Sequence, residues 1–353
     1  MTMTPSLPSF DLQIDRADLL EMERDVWNNA SVPARLKIED NMYDVYIRYR
    51  GSYTRALEKK SYHVEFEKPG IWNGASEVHL NAELFDPSHF RNKLSLDFIR
   101  DLGIHTPNSQ HILLTRNGEP LGLYLQLESV DDTYLCKRNL PPGTIYYAVS
   151  DKANFSIKRK RGLTSGYQRK LGNMQDDHQL IHFIRSINTS PHEIPRLLNI
   201  ENYLRWLAGA VCTMNNDGFT HNYALYLNSE DHLFSIIPWD YDATFGRKVN
   251  GDVMEYDYVS ITGKTKNKLT TQLMKRSGYR RRYKGILEEI LETKFNKNYL
   301  EDKVMDLHSS LRPYILMDPH IHSDIDSYDR EPSFIFQFIE DRKAFLRREL
   351  KKL

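Results

Sequence analysis

Cysteine is scarce in this chain of 353 residues, which contains only Cys136 and Cys212. Two cysteines so far apart form no metal-binding or redox motif, and they argue against a secreted fold that depends on disulfides. The chain also carries no net charge, because 48 basic residues balance 48 acidic ones. Charge therefore favours no particular class of partner, while the overall composition is that of an ordinary globular enzyme.

Long apolar runs are lacking as well. No stretch approaches the roughly 20 apolar residues that span a bilayer, and residues 1–8 have neither the basic start nor the apolar run of a signal peptide. Basic clusters at residues 158–161 and 280–284 are not accompanied by a nucleic-acid-binding motif. We therefore expect an intracellular protein that associates with neither membranes nor nucleic acid.

The first third of the chain is predicted to be β-rich with one helix. Alternation of apolar and polar residues predicts strands over residues 34–38, 43–49, 61–66, 111–115 and 121–128. Asp86-Pro87-Ser88 predicts the start of a helix, and Gly103 is a suitable residue to follow its end. The segment therefore reads as a small sheet with a single helix inserted.

The rest of the chain has a different character. Residues 137–175 are rich in proline, glycine and basic side chains, which is typical of a crossing segment with an exposed insertion. An apolar stripe over residues 200–211 predicts an amphipathic helix, and residues 223–237 predict a hairpin. Another amphipathic helix is predicted over residues 334–350. Strands with one helix, a crossing, and then helices with a small hairpin indicate a two-lobed kinase.

We therefore predict an α+β chain with an atypical two-lobed, protein-kinase-like fold, in which a β-rich N-terminal lobe precedes a mostly helical C-terminal lobe. The predicted division has an N-terminal extension over residues 1–30 and a small ATP-binding lobe over residues 31–131. The large catalytic lobe covers residues 132–353 and contains a basic insertion near residues 150–172.

Asp217 is the candidate catalytic residue. It follows the helix that is predicted over residues 200–211, and Asn222 stands five positions later. This is the spacing between the catalytic Asp and the metal-binding Asn of a kinase catalytic loop. The alternative is a simple turn after a helix, in which Gly218 supplies a positive φ.

Asp240 and Asp242 are the candidate metal ligands, together with Asn222. Both acids follow an apolar strand, where a carboxylate is costly unless a cation compensates it. Magnesium, or manganese in its place, would do so while bridging the phosphates of ATP. Asp240 is the favoured ligand because it lies nearest the end of the strand. The alternative is that both acids accept hydrogen bonds from the backbone or Arg247.

Further candidates lie in the predicted small lobe. Lys60 could neutralise the phosphates of ATP, as a strand lysine does in kinases, and Arg50 and Ser52 could donate hydrogen bonds to them. The alternative for Lys60 is an ordinary surface position.

Arg91 on the predicted helix could face a phosphate. Glu128 ends the last predicted strand of this lobe, where an adenine would lie against the crossing, and backbone groups there and Gln126 could read the purine. The alternative for Glu128 is a carboxylate at the rim. The full set of predicted nucleotide-binding residues is Arg50, Ser52, Lys60, Arg91, Gln126, Glu128, Asn222 and Asp240.

Several short motifs occur in order along the chain: Arg50-Gly51-Ser52, Lys59-Lys60-Ser61-Tyr62, Asp86-Pro87-Ser88 with Arg91-Asn92, Gly122-Leu123-Tyr124 with Glu128, Asn216-Asp217-Gly218 with Asn222, and Pro238-Trp239-Asp240-Tyr241-Asp242. Together they resemble the spore-coat protein H (CotH) kinase family from about residue 30 to beyond residue 250. The sequence departs from the kinase pattern at one point, because the predicted helix after Ser88 has no Glu to pair with Lys60.

The resemblance implies an atypical protein kinase that uses ATP and a divalent metal to phosphorylate serines of Ser-, Lys- and Arg-rich spore-coat proteins. It implies Asp217 as the catalytic Asp and Asp240 as the metal-binding Asp. It also implies a place first in the mother-cell cytoplasm and then in the spore coat, and we expect a monomeric enzyme. Two alternatives stay open: a catalytically inactive, kinase-like scaffold that organises the coat, and a phosphotransferase that acts on a small molecule.

Overall fold

The protein is described by a computed structural model over residues 6–51, 54–68, 70–157, 162–263, 267–321 and 324–353. Strands and helices are both abundant, so the predicted α+β class is confirmed. The chain forms two compact units. The first contains Met1–Phe90, Pro107–Ser129 and Met305–Glu331, and the second contains Arg91–Thr106, Val130–Val304 and Pro332–Leu353.

The first unit is built on a closed barrel. Its strands are β1 (Ser9–Ile14), β2 (Val32–Ile38), β3 (Asn41–Arg50), β4 (Ser61–Phe66), β5 (Glu77–Asn81), β6 (Ser109–Arg116) and β7 (Glu119–Glu128), in the order β1-β2-β3-β4-β5-β7-β6. Parallel pairing of β1 with β6 closes the barrel. Alternate residues of the strands point inward and form an apolar core. Helix α1 (Arg16–Arg24) follows β1.

The strands predicted in this region are confirmed as β2, β3, β4, β6 and β7, whereas β1 and β5 were missed. All five residues of β5 are buried although three of them are polar, so an apolar pattern could not reveal this strand. Because β1 is part of the barrel, residues 9–14 are not an extension outside it. The barrel therefore includes a strand that lies within the predicted extension.

The second unit contains a four-stranded sheet in the order β11-β10-β8-β9. Its strands are β8 (Gly143–Ala148), β9 (Tyr167–Leu171), β10 (Tyr223–Asn228) and β11 (Phe234–Pro238). The predicted hairpin is confirmed as β10 and β11. Strand β9 lies within the predicted basic insertion and pairs with β8 as part of this sheet. Residues 158–161 of the insertion lie outside the described part.

Helices form most of the other regular structure of the described residues. They are α2 (Arg91–Asp101), α3 (Asp132–Lys137), α4 (Asp177–Thr189), α5 (Ile200–Thr213), α6 (Lys268–Met274), α7 (Ser277–Thr293), α8 (Lys297–Met317) and α9 (Ile325–Leu350). The helix predicted over residues 200–211 is confirmed as α5. Within the described ranges, no helix has both the length and the apolar content needed to cross a membrane.

The two units differ from the predicted lobes in two further respects. Helix α2 belongs to the second unit, although it was predicted inside the small lobe, and residues 305–331 belong to the first. The helix also begins at Arg91 rather than near Ser88, because Asp86 accepts hydrogen bonds from the backbone N–H and the hydroxyl of Ser88 and forms a turn.

Candidate functional site

Helix α5 leads the chain to the candidate catalytic residue. Asn199 caps the start of the helix, since its side chain accepts a hydrogen bond from the Asn202 N–H. The apolar stripe of α5 is buried, and Met214 ends the helix in the left-handed conformation with φ of 58°. Arg342 donates two hydrogen bonds to the Val211 carbonyl in the last turn. These contacts fix the point at which the loop to Asp217 begins.

Asp217 opens a tight turn. Its carbonyl oxygen accepts hydrogen bonds from the backbone N–H groups of Thr220 and His221, at 2.9 and 3.0 Å. Its carboxylate is half-buried, and Oδ1 accepts a hydrogen bond from Asn216 Nδ2 at 2.9 Å. The two interpretations of Asp217 are therefore compatible. Its backbone forms the turn, and its side chain places a carboxylate at the start of that turn.

Gly218 has a different role from the one predicted for a simple turn. It does not have a positive φ. A Cβ atom at this position would lie 2.9 Å from the side-chain amide of Asn215, whose Oδ1 accepts a hydrogen bond from the Gly218 N–H. The glycine is needed for this close approach and so helps to hold the loop that contains Asp217.

The hairpin of β10 and β11 brings Asn222 to Asp240. Tyr223 pairs with Pro238, so the residues just outside this pair meet at the open end of the hairpin. The Trp239 N–H donates a hydrogen bond to the Asn222 carbonyl at 3.1 Å, and Asn222 Nδ2 donates one to the Asp240 carbonyl at 3.2 Å. Two of the predicted metal ligands are therefore adjacent.

Asn222 and Asp240 share an unusual backbone conformation. Their φ values are 57° and 56°, in the left-handed region that Asn and Asp tolerate better than most residues. This conformation turns the chain sharply at Asn222, just before β10, and at Asp240, shortly after β11. The choice of Asn and Asp at these positions is thus consistent with backbone geometry as well as with ligand chemistry.

The backbone that follows Asp240 is held by the start of α2. Asn92 Oδ1 accepts a hydrogen bond from the Tyr241 N–H at 2.9 Å, and Arg91 Nε donates one to the Thr244 carbonyl at 3.0 Å. Arg91 is completely buried. The structure thus gives Arg91 a supporting position behind the loop of Asp240, and its contact with a phosphate stays a prediction.

The donor atoms at this end of the hairpin suit a hard divalent cation. Asp240 and Asp242 supply half-buried carboxylates. Because Asn222 Nδ2 binds the Asp240 carbonyl, its Oδ1 is the atom that would serve as a ligand. Magnesium and manganese prefer such oxygen ligands. The described residues contain no group of three His, Cys, Asp or Glu side chains that could hold a metal by themselves, so the amide is part of the predicted set.

The candidates in the first unit have structural partners of their own. Lys60 Nζ donates hydrogen bonds to the carbonyls of Arg55 and Leu57. Arg50 donates to the side chain of Asn81. Both side chains therefore bind groups of the first unit, and their contact with phosphates stays a prediction.

The purine-binding candidates are buried at the end of the barrel. Glu128 Oε2 accepts a hydrogen bond from the Asn108 N–H at 2.9 Å. Gln126 lies opposite Leu80 and Gln110 in the sheet. Both side chains are almost inaccessible. Ser52 lies outside the described residues, so its predicted contact is not addressed by the structure.

Lys59, which sequence reasoning passed over in favour of Lys60, forms a buried ion pair. Its Nζ lies 2.7 Å from Asp318 Oδ2, and neither side chain is exposed. Lys59 also donates a hydrogen bond to the Leu123 carbonyl, and Asp318 accepts one from the Leu123 N–H. Burial lowers the pKa of the Lys59 ammonium, while Asp318 opposes that shift.

This ion pair explains the motif Gly122-Leu123-Tyr124. Gly122 has φ of 90°, and a Cβ atom there would lie 2.0 Å from Asp318 Oδ2, so only glycine leaves room for the carboxylate. The Tyr124 ring centroid lies 4.8 Å from Lys59 Nζ. Two motifs that are far apart in sequence are thus joined within the first unit.

We predict that Lys59→Met lowers the free energy of unfolding by about 3–5 kcal/mol, because it leaves the buried Asp318 carboxylate without its cation. Chemical denaturation followed by circular dichroism measures the change. The neighbouring variant Lys60→Met is the matched control and should lose much less, since Lys60 is only partly buried. The double variant Lys59→Met/Asp318→Leu should regain most of the loss. Wild-type stability of Lys59→Met would contradict the prediction.

Comparison with known proteins identifies the family. A match to the family described as "CotH kinase protein" covers residues 47–346. "Inner spore coat protein H" of Bacillus subtilis (strain 168) is 45% identical over 359 aligned residues, which cover 99% of this chain and 99% of that protein. "Inner spore coat protein H-like protein" of the same strain is 26% identical, over 84% of this chain and 87% of that protein.

Among solved structures, the Helicobacter pylori proinflammatory kinase CtkA aligns with 82% of this chain and 94% of its own, at 11% identity and a TM-score of 0.35. A score this low supports no argument about fold or function. The family match is of a different kind, because it covers most of the chain and agrees with the relative from Bacillus subtilis. This protein belongs to the CotH kinase protein family.

Proposed function

We propose that this protein is an atypical protein kinase that transfers the γ-phosphoryl group of ATP to serine residues of spore-coat proteins, with the help of a divalent metal. One observation carries the proposal. The hairpin places Asn222 and Asp240 in hydrogen-bond contact, and Asn222 ends the loop that begins at Asp217. The spacing predicted from a kinase catalytic loop therefore coincides with a cluster of oxygen donors.

Asp217 would act on the serine hydroxyl. Its carboxylate orients the hydroxyl and accepts its proton as the serine oxygen bonds to the γ-phosphorus. The bond from the γ-phosphorus to the oxygen bridging the β- and γ-phosphates breaks, and ADP leaves with that oxygen. Because such a transfer involves little covalent work by the protein, the main task of Asp217 is positioning.

Asn222, Asp240 and Asp242 would hold magnesium or manganese. When bound, the metal neutralises charge on the phosphate oxygens of ATP. The chain's own contribution is to fix these oxygen donors. Asn92 and Arg91 support the backbone after Asp240, and the strand pairing of Tyr223 with Pro238 fixes the distance between the two sides of the hairpin.

Nucleotide contacts from the first unit complete the proposal. Lys60 and Arg50 would face the phosphates, with Ser52 as a further donor, and Gln126 and Glu128 would lie near the purine. Since both Lys60 and Arg50 already bind groups of their own unit, nucleotide binding would have to exchange or share those hydrogen bonds. Alanine variants of these two residues would show this as a loss of nucleotide affinity.

The name of the relative from Bacillus subtilis, "Inner spore coat protein H", supports the proposed place of action. We propose that the protein acts as a monomer in the mother-cell cytoplasm and then in the spore coat. Its substrates would be Ser-, Lys- and Arg-rich coat proteins, and neither nucleic acid nor a membrane would be a partner.

Transfer of labelled phosphate tests the proposal directly. The purified protein is incubated with ATP labelled on the γ-phosphate, magnesium and a Ser-, Lys- and Arg-rich peptide. We expect label on serine, and its loss when the metal is chelated. Binding of ATP without any transfer would instead indicate a scaffold. Label on a small metabolite but not on the peptide would indicate a small-molecule phosphotransferase.

A further inference from the structure

Tyr147 and Trp239 form a stacked pair beside the candidate metal ligands. Their ring centroids are 5.2 Å apart, and the interplanar angle is 26°. Trp239 directly precedes Asp240, and Tyr147 precedes Ala148, whose carbonyl accepts a hydrogen bond from the Asn222 N–H at 3.2 Å. The stack therefore joins the ends of β8 and β11, the two strands on either side of β10, which begins just after Asn222.

The hydroxyl of Tyr147 binds the backbone of Val130. Its hydroxyl accepts a hydrogen bond from the Val130 N–H at 2.9 Å and donates one to the Val130 carbonyl at 3.2 Å. Val130 is fully buried and is the residue at which the chain enters the second unit after Ser129. Both backbone polar groups of Val130 are thus bound by a single side chain.

The hydrogen bonds of Tyr147 occupy backbone groups close in sequence to Glu128, beside which the purine is predicted to lie. Because the Tyr147 hydroxyl already binds the N–H and the carbonyl of Val130, those two groups are committed within the second unit. The backbone of Val130 is therefore better suited to holding Tyr147 in place than to reading a base.

We propose that Tyr147 is a positioning residue for the metal ligands. Its hydroxyl is fixed by Val130, its ring fixes Trp239, and Trp239 leads directly into Asp240 and binds the Asn222 carbonyl through its N–H. This inference rests on the proposed function, because it assumes that Asn222 and Asp240 hold the metal. In this role Tyr147 acts through Trp239 and not through direct contact with the metal.

The physical reason is preorganisation. Asn222 and Asp240 both have left-handed φ values, which fewer residues adopt readily. Such a loop keeps its geometry only when its surroundings hold it, and a rigid pair of aromatic rings with a fixed hydroxyl does this with few rotatable bonds. Replacing a residue that orients a metal ligand without contacting the metal typically lowers metal affinity or activity by about 10–100-fold.

The experiment measures metal binding rather than activity. Manganese is titrated into the full chain together with a non-hydrolysable ATP analogue, and free manganese is followed by electron paramagnetic resonance. Tyr147→Leu removes both the stack and the hydroxyl, and we expect it to raise the half-saturating manganese concentration about 10-fold or more. Tyr147→Phe keeps the ring and loses only the hydroxyl, so a smaller increase is expected.

Tyr226→Phe is the matched control. Tyr226 belongs to β10 of the same sheet, and its hydroxyl also binds a backbone carbonyl, that of Pro141, at 2.6 Å. It lies toward the other end of the strand, where it pairs with Ser235 and Ile145. We expect this variant to bind manganese like the wild type, even if its melting temperature falls.

Three outcomes decide the inference. Tyr147→Leu that binds manganese within twofold of the wild type overturns it, even when its melting temperature has fallen. If Tyr147→Leu does not fold, Tyr147→Phe and Trp239→Phe are decisive, and behaviour identical to Tyr226→Phe overturns the inference. If the wild type itself binds no manganese with the analogue, the proposed metal site is wrong, and the role inferred for Tyr147 fails with it.

Discussion

Asp217→Ala is expected to lower the rate of phosphate transfer by about 10²- to 10⁴-fold, the contribution typical of a positioned proton acceptor. The carboxylate is the only part of Asp217 that the substitution removes. The carbonyl, which accepts the hydrogen bonds from Thr220 and His221, stays in the alanine variant. The turn should therefore persist, and the loss should appear in kcat for labelled peptide, with a melting temperature close to that of the wild type.

Two further variants sharpen this prediction. Asp217→Asn keeps the shape of the side chain but cannot accept the proton, so it should be about as inactive as Asp217→Ala. Glu230→Ala removes an exposed carboxylate from the turn at the far end of the same hairpin and should be fully active. Full activity of Asp217→Ala would remove Asp217 from the proposed mechanism, whereas equal losses in all three variants would indicate damage to the fold.

The site in the second unit could largely be predicted from the sequence because its geometry is local. A helix, a short loop and a two-stranded hairpin occupy consecutive residues, and pairing of Tyr223 with Pro238 follows from the alternation of the two strands. The residues that flank this pair are Asn222 and Trp239, and Asp240, the next residue after Trp239, must then lie close to Asn222. The sequence could not show that the Asn222 amide binds the Asp240 carbonyl, which depends on the left-handed conformation of both residues.

The first unit was less predictable because its key contacts are distant in sequence. Lys59 and Asp318 are 259 positions apart, and no pattern in the residues around either one predicts the ion pair. Strand β1 was missed for a similar reason, since it completes the barrel only by pairing with β2 and β6. Helix α2 contains no Glu that could pair with Lys60. The buried ion pair is instead formed by the neighbouring Lys59.

Arg91 shows a different limit of prediction from the sequence. A basic residue beside a motif suggests an anion ligand, and the sequence did not show that this guanidinium is also buried and donates to the Thr244 carbonyl. Arginine can bind several carbonyl groups at once, and Arg342 does the same at Val211 and Val259. Composition alone cannot tell a buried arginine that holds backbone carbonyls from an exposed one that binds phosphate, because both require the same side chain.

Asp240→Asn is expected to lower phosphate transfer by about 10³-fold. Charge stabilisation by a bound metal is worth several kcal/mol in the transition state, and each 1.4 kcal/mol corresponds to about a factor of ten in rate. Asparagine is the appropriate substitution because Asp240 has φ of 56°, which Asn adopts more readily than Ala. The variant should fold normally, so kcat at saturating peptide measures the loss of the carboxylate's charge.

Thermal unfolding separates metal binding from catalysis. Magnesium with a non-hydrolysable ATP analogue should raise the melting temperature of the wild type, since a ligand that binds only the folded state stabilises it by about 2.7 kcal/mol at 100 times its Kd. The same mixture should leave Asp240→Asn nearly unshifted. Asp242→Asn is the matched comparison, two residues further along, and should keep part of the shift. If Asp242→Asn loses the shift and Asp240→Asn keeps it, then Asp242 is the principal ligand, because the two carboxylates differ in position but not in chemistry.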